Sequence, residues 1–266
     1  MPVTRIPFQL TLTAILLLLW GGMLAAQAQS ISKTADGFDL PVAPPNGEGY
    51  YKSRGFRSGG HMGEDWLVTD GSSKRSLGKP IYSIGNGLVV LARDIHAAWG
   101  NVVIVRHAWI ENKQLKFADS LYAHLDKITV REGQQINKGK QVGTIGNNHG
   151  IYPAHLHFEI HKDLSIGVNH SQGTKDLRSY WLPTEFIMAR RHLSGGGRNV
   201  PTPSAKFLLP SPDHPWFFHR PSSKSKSSSK SKSKSASSSS IHSSSSSSSP
   251  SHHPSGTYKV NRYSDP

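Results

Sequence analysis

The segment Ala154-His155-Leu156-His157-Phe158-Glu159-Ile160 holds the side chains best placed by spacing to do chemistry. Leu156, Phe158 and Ile160 alternate with His155, His157 and Glu159, the period of a strand with one face in a core. On such a strand His155 and His157 stand on the other face, roughly 6–7 Å apart. Two imidazoles projected from a rigid element into one space suit a metal site. A strand with two solvated histidines would show the same pattern, so the remaining ligands must be sought elsewhere. His61-Met62-Gly63-Glu64-Asp65 offers an imidazole and a carboxylate four residues apart. With one distant histidine they make three protein ligands, a set that suits zinc and leaves its fourth position open for water or substrate. An open position marks catalysis rather than structure. The chain has no cysteine, so disulfides, thiolate metal sites and a lipid-modified N-terminal cysteine are excluded. Among 15 histidines the His61–Asp65 pair alone carries little weight. It gains weight beside the His-Leu-His strand and His124.

The elements that must position these groups read as β. Pro80 to Ile84 and Leu88 to Ala92 are short apolar runs around a Gly85-Asn86-Gly87 turn. Asn101 to Arg106 is apolar on both faces, which predicts a strand interior to two packed layers. Glu111-Asn112-Lys113-Gln114 reads as a hairpin tip, with Leu115 to Leu125 returning. Gly133 and Gly139 mark two further turns, and Gln141 to Gly146 precedes the His-Leu-His strand. The one predicted helix is Pro183 to Arg191, with Pro183 in its first turn. Many short strands with frequent glycine turns predict an all-β, sandwich or barrel-like domain.

The flanks differ in composition. Residues 1–28 read as a secretory signal: Arg5, an apolar run from Leu10 to Ala26, and Ala26-Gln27-Ala28 as the cleavage site. An uncleaved anchor is the other reading, but the run is somewhat short for a span. The protein is therefore expected to be exported, to the periplasm or the cell wall and extracellular space, with the mature chain starting near Gln29. Residues 29–48 form a Pro/Gly-rich lead-in without periodicity, 49–191 the domain, 192–220 a Pro/Gly-rich linker, and 221–266 a Ser/Lys-rich tail predicted to be disordered. Formal net charge is +14. The tail contributes Lys224, Lys226, Lys230, Lys232, Lys234, Lys259 and Arg262 against Asp265. With no aromatic interleaving in the Lys/Ser run for base stacking, nucleic acid is not the expected partner. An anionic wall or membrane polymer fits better, and a plain solvated spacer is the alternative.

Three ordered motifs now coincide: His61-Met62-Gly63-Glu64-Asp65, Leu121-Tyr122-Ala123-His124-Leu125 and His155-Leu156-His157-Phe158-Glu159. Over about Gly59 to Ile160 the chain resembles the lysostaphin/LytM-type zinc metallopeptidases, the beta-lytic family. Gly100 to Ile104 and Val142 to Asn147 fit the same resemblance. It implies a compact antiparallel β domain (the duplicated hybrid motif) and endopeptidase cleavage of peptides in bacterial cell walls. It implies His61, Asp65 and His157 as Zn2+ ligands, and His124 and His155 as the catalytic pair. Three places depart from the family pattern: Glu64 stands where an apolar residue is usual, Pro153-Ala154 where Gly-Pro is common, and Asn147-Asn148-His149-Gly150 where a loop of small residues is usual. That last loop is read as a specificity element.

The implied chemistry is coherent. There is no H-E-x-x-H, so no helix-borne glutamate base is present and an imidazole must do that work. His155 would orient or deprotonate the water, and His124 would donate to the oxyanion or the leaving amine. Tyr122 shares the face of His124 by the period-2 rule and would assist. Glu159 is either a hydrogen-bond partner for the second nitrogen of His157 or a solvated carboxylate. His96, His107, His161, His170 and His192 match no motif and are expected at the surface or in local hydrogen bonds. A monomeric endopeptidase acting on peptidoglycan cross-links is the expected function. A non-catalytic wall-binding or hydrolase-activating relative is the competing class, and a zinc peptidase of secreted proteins a third. Non-catalytic relatives typically lose metal or catalytic residues, whereas all five positions are filled here.

Overall fold

The computed structural model describes residues 30–170, 173–205, 207 and 209, all within the unit Met1–Ser222. The expected signal segment 1–28 and the Ser/Lys tail lie outside the described residues. In chain order the elements are β1 (Ile31–Lys33), β2 (Tyr50–Arg54), β3 (Glu64–Val68), α1 (Ser73–Ser76), β4 (Pro80–Tyr82), β5 (Gly87–Asp94), β6 (Asn101–Glu111), β7 (Gln114–Leu125), β8 (Gln135–Ile136), β9 (Gln141–Thr144), β10 (Leu156–His161), β11 (Tyr180–Trp181), α2 (Pro183–Met188) and β12 (Asn199–Pro201). The main sheet runs β2-β3-β10-β7-β6-β5-β8, with β11 beside β10. β1 pairs with β12, and β4 with β9. Every pairing between these strands is antiparallel, as the sequence predicts.

The sheet has two buried faces, and strand alternation assigns side chains to each. One face carries Val103, Val105, Tyr122, Leu156, Phe158 and Ile160 into the main core. The other carries Val102, Ile104, Leu121 and Ala123 into a second apolar cluster. This explains why β6 reads as apolar on both sides: Val102 to Trp109 are all buried. The β6–β7 hairpin closes at Asn112 and Lys113, with φ of 53° and 62°. Two left-handed residues at the tip match the twist of the flanking strands.

Four features differ from the expectation. The lead-in expected over 29–48 as polar and without periodicity supplies Ala35, Phe38, Leu40 and Val42 to the main core. Phe38, Leu40 and Val42 do alternate, but Pro41 and the surrounding Pro and Gly residues hide the period. The segment expected as a linker starts inside the packed unit, since Asn199–Pro201 pairs with Ile31–Lys33. Beyond it, the buried Arg106 holds Asp119 through two contacts of 2.7 Å and also donates to the carbonyls of Pro203 and Ser204. The helix expected over 183–191 stops at Met188. Ala189 caps it, its N–H turning back to the Glu185 carbonyl. The single turn α1 went unforeseen. Its signal is Ser72, whose hydroxyl accepts the Arg75 N–H at 3.2 Å as an N-cap.

Candidate metal centre

β3 and β10 are neighbours, and their register places His157 opposite Asp65. Directly opposed residues share a face, so both side chains point away from the main core. His61 reaches the same place from the turn before β3, where Arg57 and His61 exchange backbone hydrogen bonds of 2.7 and 2.9 Å. Gly63 lets this turn close on β10: a Cβ there would lie 2.3 Å from the Phe158 carbonyl oxygen. His61 Nε2, Asp65 Oδ1 and His157 Nδ1 then lie 2.9–3.1 Å from one another. All three residues are buried and close enough to share one metal ion.

The outer atoms of both rings fix their protonation. His61 Nδ1 lies 2.9 Å from the Gly55 carbonyl, which only accepts, so that nitrogen carries the proton. His157 Nε2 lies 2.8 Å from Glu159 Oε1. Burial raises the Glu159 carboxyl, but hydrogen bonds from His157, His161 and His170 outweigh it and hold the group well below the usual carboxylate range. Glu159 is therefore an anion, and His157 donates to it from Nε2. The inner atoms of the cluster are then two imidazole lone pairs and a carboxylate oxygen. Tetrahedral ligand atoms around zinc stand about 3.3 Å apart, close to the spacing found. Three converging acceptors require a positive charge among them. With protein atoms alone, burial pulls His157 down, but the bonds to Asp65 and Glu159 outweigh it and hold the imidazole up to about 9. Burial likewise raises Asp65, and His157 and His61 more than reverse it, so Asp65 is strongly lowered. The donor set fits a zinc ion, which would take the place of the proton on His157.

Glu159 is thus a buried partner of His157 rather than a solvated carboxylate. It also accepts from His161 at 2.6 Å and His170 at 3.1 Å. Those two histidines were expected at the surface or in local hydrogen bonds, yet His161 is fully buried under the cluster. The signal was present: the alternation His155, His157, Glu159 continues to His161. Glu159→Ala should weaken metal affinity about 10–100-fold, the usual cost of losing a carboxylate behind a ligating histidine. Competition with a chromogenic chelator measures this, and unchanged affinity would show that His157 needs no such partner.

His124 stands at the end of β7 with φ 62°. By alternation it would follow Tyr122 into the main core. Instead the β6–β7 pairing slips between Asn101 and Val103, so Ala123 and His124 together oppose Val102. This bulge turns His124 to the metal side, with its ring centroid 5.6 Å from that of His157 and 4.9 Å from that of His155. Tyr122 therefore does not share the face of His124. Its hydroxyl is buried in the core, accepting from Ile84 N and Ser120 Oγ at 3.1 Å each, and burial pushes the phenol up to about 12. His124 Nδ1 donates to the Trp99 carbonyl at 3.1 Å. Burial, then the neighbouring His157 and His155, hold the ring down to about 3, so it is neutral with Nε2 as a free acceptor. His155 precedes β10, gives its Nδ1–H to the Pro153 carbonyl at 2.7 Å, and places Nε2 3.7 Å from Asp65 Oδ1. Trp99 and Tyr152, which sequence reasoning passed over, wall the site: Trp99 edges onto His157, and Tyr152 packs at a tilt against His124.

Of the departures from the family pattern, Glu64 has a clear role. Nearly fully buried, it accepts from Lys52 Nζ, Trp66 Nε1, and both the N–H and hydroxyl of Thr184, tying β2, β3 and α2 together on the side away from the metal cluster.

An antiparallel β scaffold thus brings two histidines and an aspartate close enough to hold one metal ion, with two further imidazoles beside them. The sequence profile of Peptidase family M23 matches residues 61–172, the stretch that contains all five groups. The chain is 35% identical over 85 residues to Lipoprotein NlpD of Yersinia enterocolitica, covering 32% of this chain and 79% of that protein. It belongs to family M23, that of the lysostaphin/LytM-type peptidases. It is also 36% identical over 100 residues to Peptidoglycan DD-endopeptidase ShyA of Vibrio cholerae, and 35% over 85 residues to Murein hydrolase activator NlpD of Escherichia coli. These alignments cover 38% and 32% of this chain, and only 20% of either relative's length.

Proposed function

We propose that the protein is an exported, zinc-dependent endopeptidase that hydrolyses peptide cross-links of bacterial peptidoglycan. The observation that carries this reading is the convergence of two lone-pair imidazole nitrogens and a carboxylate oxygen beside two further imidazoles, those of His124 and His155. His61, Asp65 and His157 hold the ion, and His124 and His155 handle protons. Bound zinc would polarise the scissile carbonyl and make a water acidic enough to attack near neutral pH.

The hydrogen bonds refine the division of labour expected from sequence. His124 cannot donate from Nδ1, which is committed to Trp99, and its Nε2 is an acceptor in the neutral ring. It thus enters the reaction as a base and donates only after taking a proton. His155 has the same arrangement, with Nδ1 committed to Pro153. One of the two takes the proton of the attacking water at Nε2, and the protonated ring returns it to the leaving amine. Burial suits His124 to this cycle, because an imidazolium formed there gives up its proton readily.

The activator reading is favoured by the names of several relatives, including the Escherichia coli protein. It does not require two proton-handling histidines beside the metal ligands, and this chain keeps both. Digestion of purified sacculi followed by mass spectrometry of the muropeptides decides between them. The expected result is loss of cross-linked species and gain of new peptide termini, abolished by a chelator and restored by zinc. Unchanged muropeptides with the zinc-loaded protein, together with stimulation of an added wall hydrolase, would establish the activator instead.

A further inference from the structure

Backbone in the left-handed region is strained for a residue other than glycine and persists only where the surroundings impose it. Four such residues, His96, Ala97, Asn148 and His149, fall in two loops that touch beside the site. One loop, residues 95–100, joins β5 to β6. The other, residues 147–151, leads towards β10. Their contact is made by Asn148, whose side chain is wholly buried. Its Nδ2 donates to the Ala97 carbonyl at 2.9 Å, while its Oδ1 is buried with no partner. The amide sits hard against Gly100, where a Cβ would come within 2.4 Å of Oδ1. Outside it, His149 Nε2 and Asp94 Oδ2 close the same junction at 2.9 Å.

The loop gripped in this way delivers one atom to the site. The Trp99 carbonyl accepts both the backbone N–H and Nδ1–H of His124, each at 3.1 Å. That oxygen fixes the tautomer and the ring orientation of a histidine whose own backbone is in the left-handed region. A buried amide with an unpaired oxygen is a poor choice for packing alone, since the orphaned acceptor costs stability. Asparagine does meet two demands at once: it tolerates left-handed backbone, and it offers an N–H to the facing loop.

We propose that Asn148 is a positioning residue for His124, setting the Trp99 carbonyl through its hydrogen bond to Ala97 so that His124 keeps Nε2 free as a base. The catalytic consequence rests on the endopeptidase reading, whereas the structural one does not. The test uses the full zinc-loaded chain and its Asn148→Gly variant, which keeps the backbone conformation and deletes the amide. Nitrogen-15 spectra of the imidazoles should show one His124 tautomer, protonated at Nδ1, in the parent and a mixture in the variant. Zinc content should be unchanged. The kcat for a cross-linked muropeptide should fall about 10–100-fold, the order expected when a catalytic group is displaced by an ångström, with little change in KM. A folded variant whose His124 nitrogens match the parent's would overturn the proposal. If Asn148→Gly fails to fold, Asn148→Ala serves: its methyl fills part of the space, it has no N–H for Ala97, and the same two outcomes decide. A parent that shows the single tautomer yet cuts no wall peptide would defeat the endopeptidase reading and leave the positioning role standing.

Discussion

Asp65→Ala and His157→Ala are each expected to lose the bound zinc and, with it, essentially all cleavage. The three inner atoms lie within 3.1 Å of one another, so removing one would leave the ion two protein ligands and a buried gap. The ion's charge stabilisation in the transition state is worth several kcal/mol, so activity should fall roughly 10³-fold or more. Elemental analysis and peptide cleavage on the same preparations check this, and zinc retained at parental stoichiometry in both variants would refute the ligand assignment. The pH dependence has a defined sign. In the metal-free protein His157 is held up to about 9 by Asp65 and Glu159. Below that pH its Nδ1 carries a proton that zinc must displace. Affinity should therefore rise with pH up to about 9 and weaken steadily as pH falls. Asp65, already strongly lowered, adds to this only in strong acid.

Replacing His124 or His155 with alanine should give a different phenotype. Neither atom set belongs to the three-ligand cluster, so zinc should stay. The rate should drop by about 10²–10⁴, the usual worth of a positioned acid or base. The two variants need not be equal. His124 is buried and tied to Trp99, whereas His155 is half-buried and tied to its own Pro153 carbonyl, a short-range contact. Zinc content and single-turnover cleavage on each variant separate the two classes of residue. Loss of zinc from His124→Ala would move that histidine into the ligand set. Unchanged rates in both would remove them from the chemistry.

The alternation of β10 was legible because strand period is local. Each residue's face follows from the pleat, so Leu156, Phe158 and Ile160 could be assigned to the core from their order alone. The β6–β7 hairpin was legible for the same reason, with Asn112 at its tip. The lead-in was not, because its Phe38-x-Leu40-x-Val42 alternation is broken up by proline and glycine, which carry the opposite local signal. The absence of cysteine limited the metal ligands to His, Asp and Glu, and the spacing of His61 and Asp65 named two of the candidates.

What the chain order could not hold is the route by which His124 reaches the site. Strict alternation sends it into the core behind Tyr122. Only pairing with β6, where Val102 faces two residues, and a carbonyl from Trp99, 25 residues earlier, turn it round. The same is true of Glu159: its sequence neighbours allow a solvated carboxylate, and only the closure of the sheet and of the segment carrying His170 buries it among three imidazoles. Chain order alone sets which side chains are present and which strand faces they start from. The tertiary structure decided which of their nitrogens carry protons, because a tautomer is set by the acceptor that meets it, and those acceptors come from distant parts of the chain.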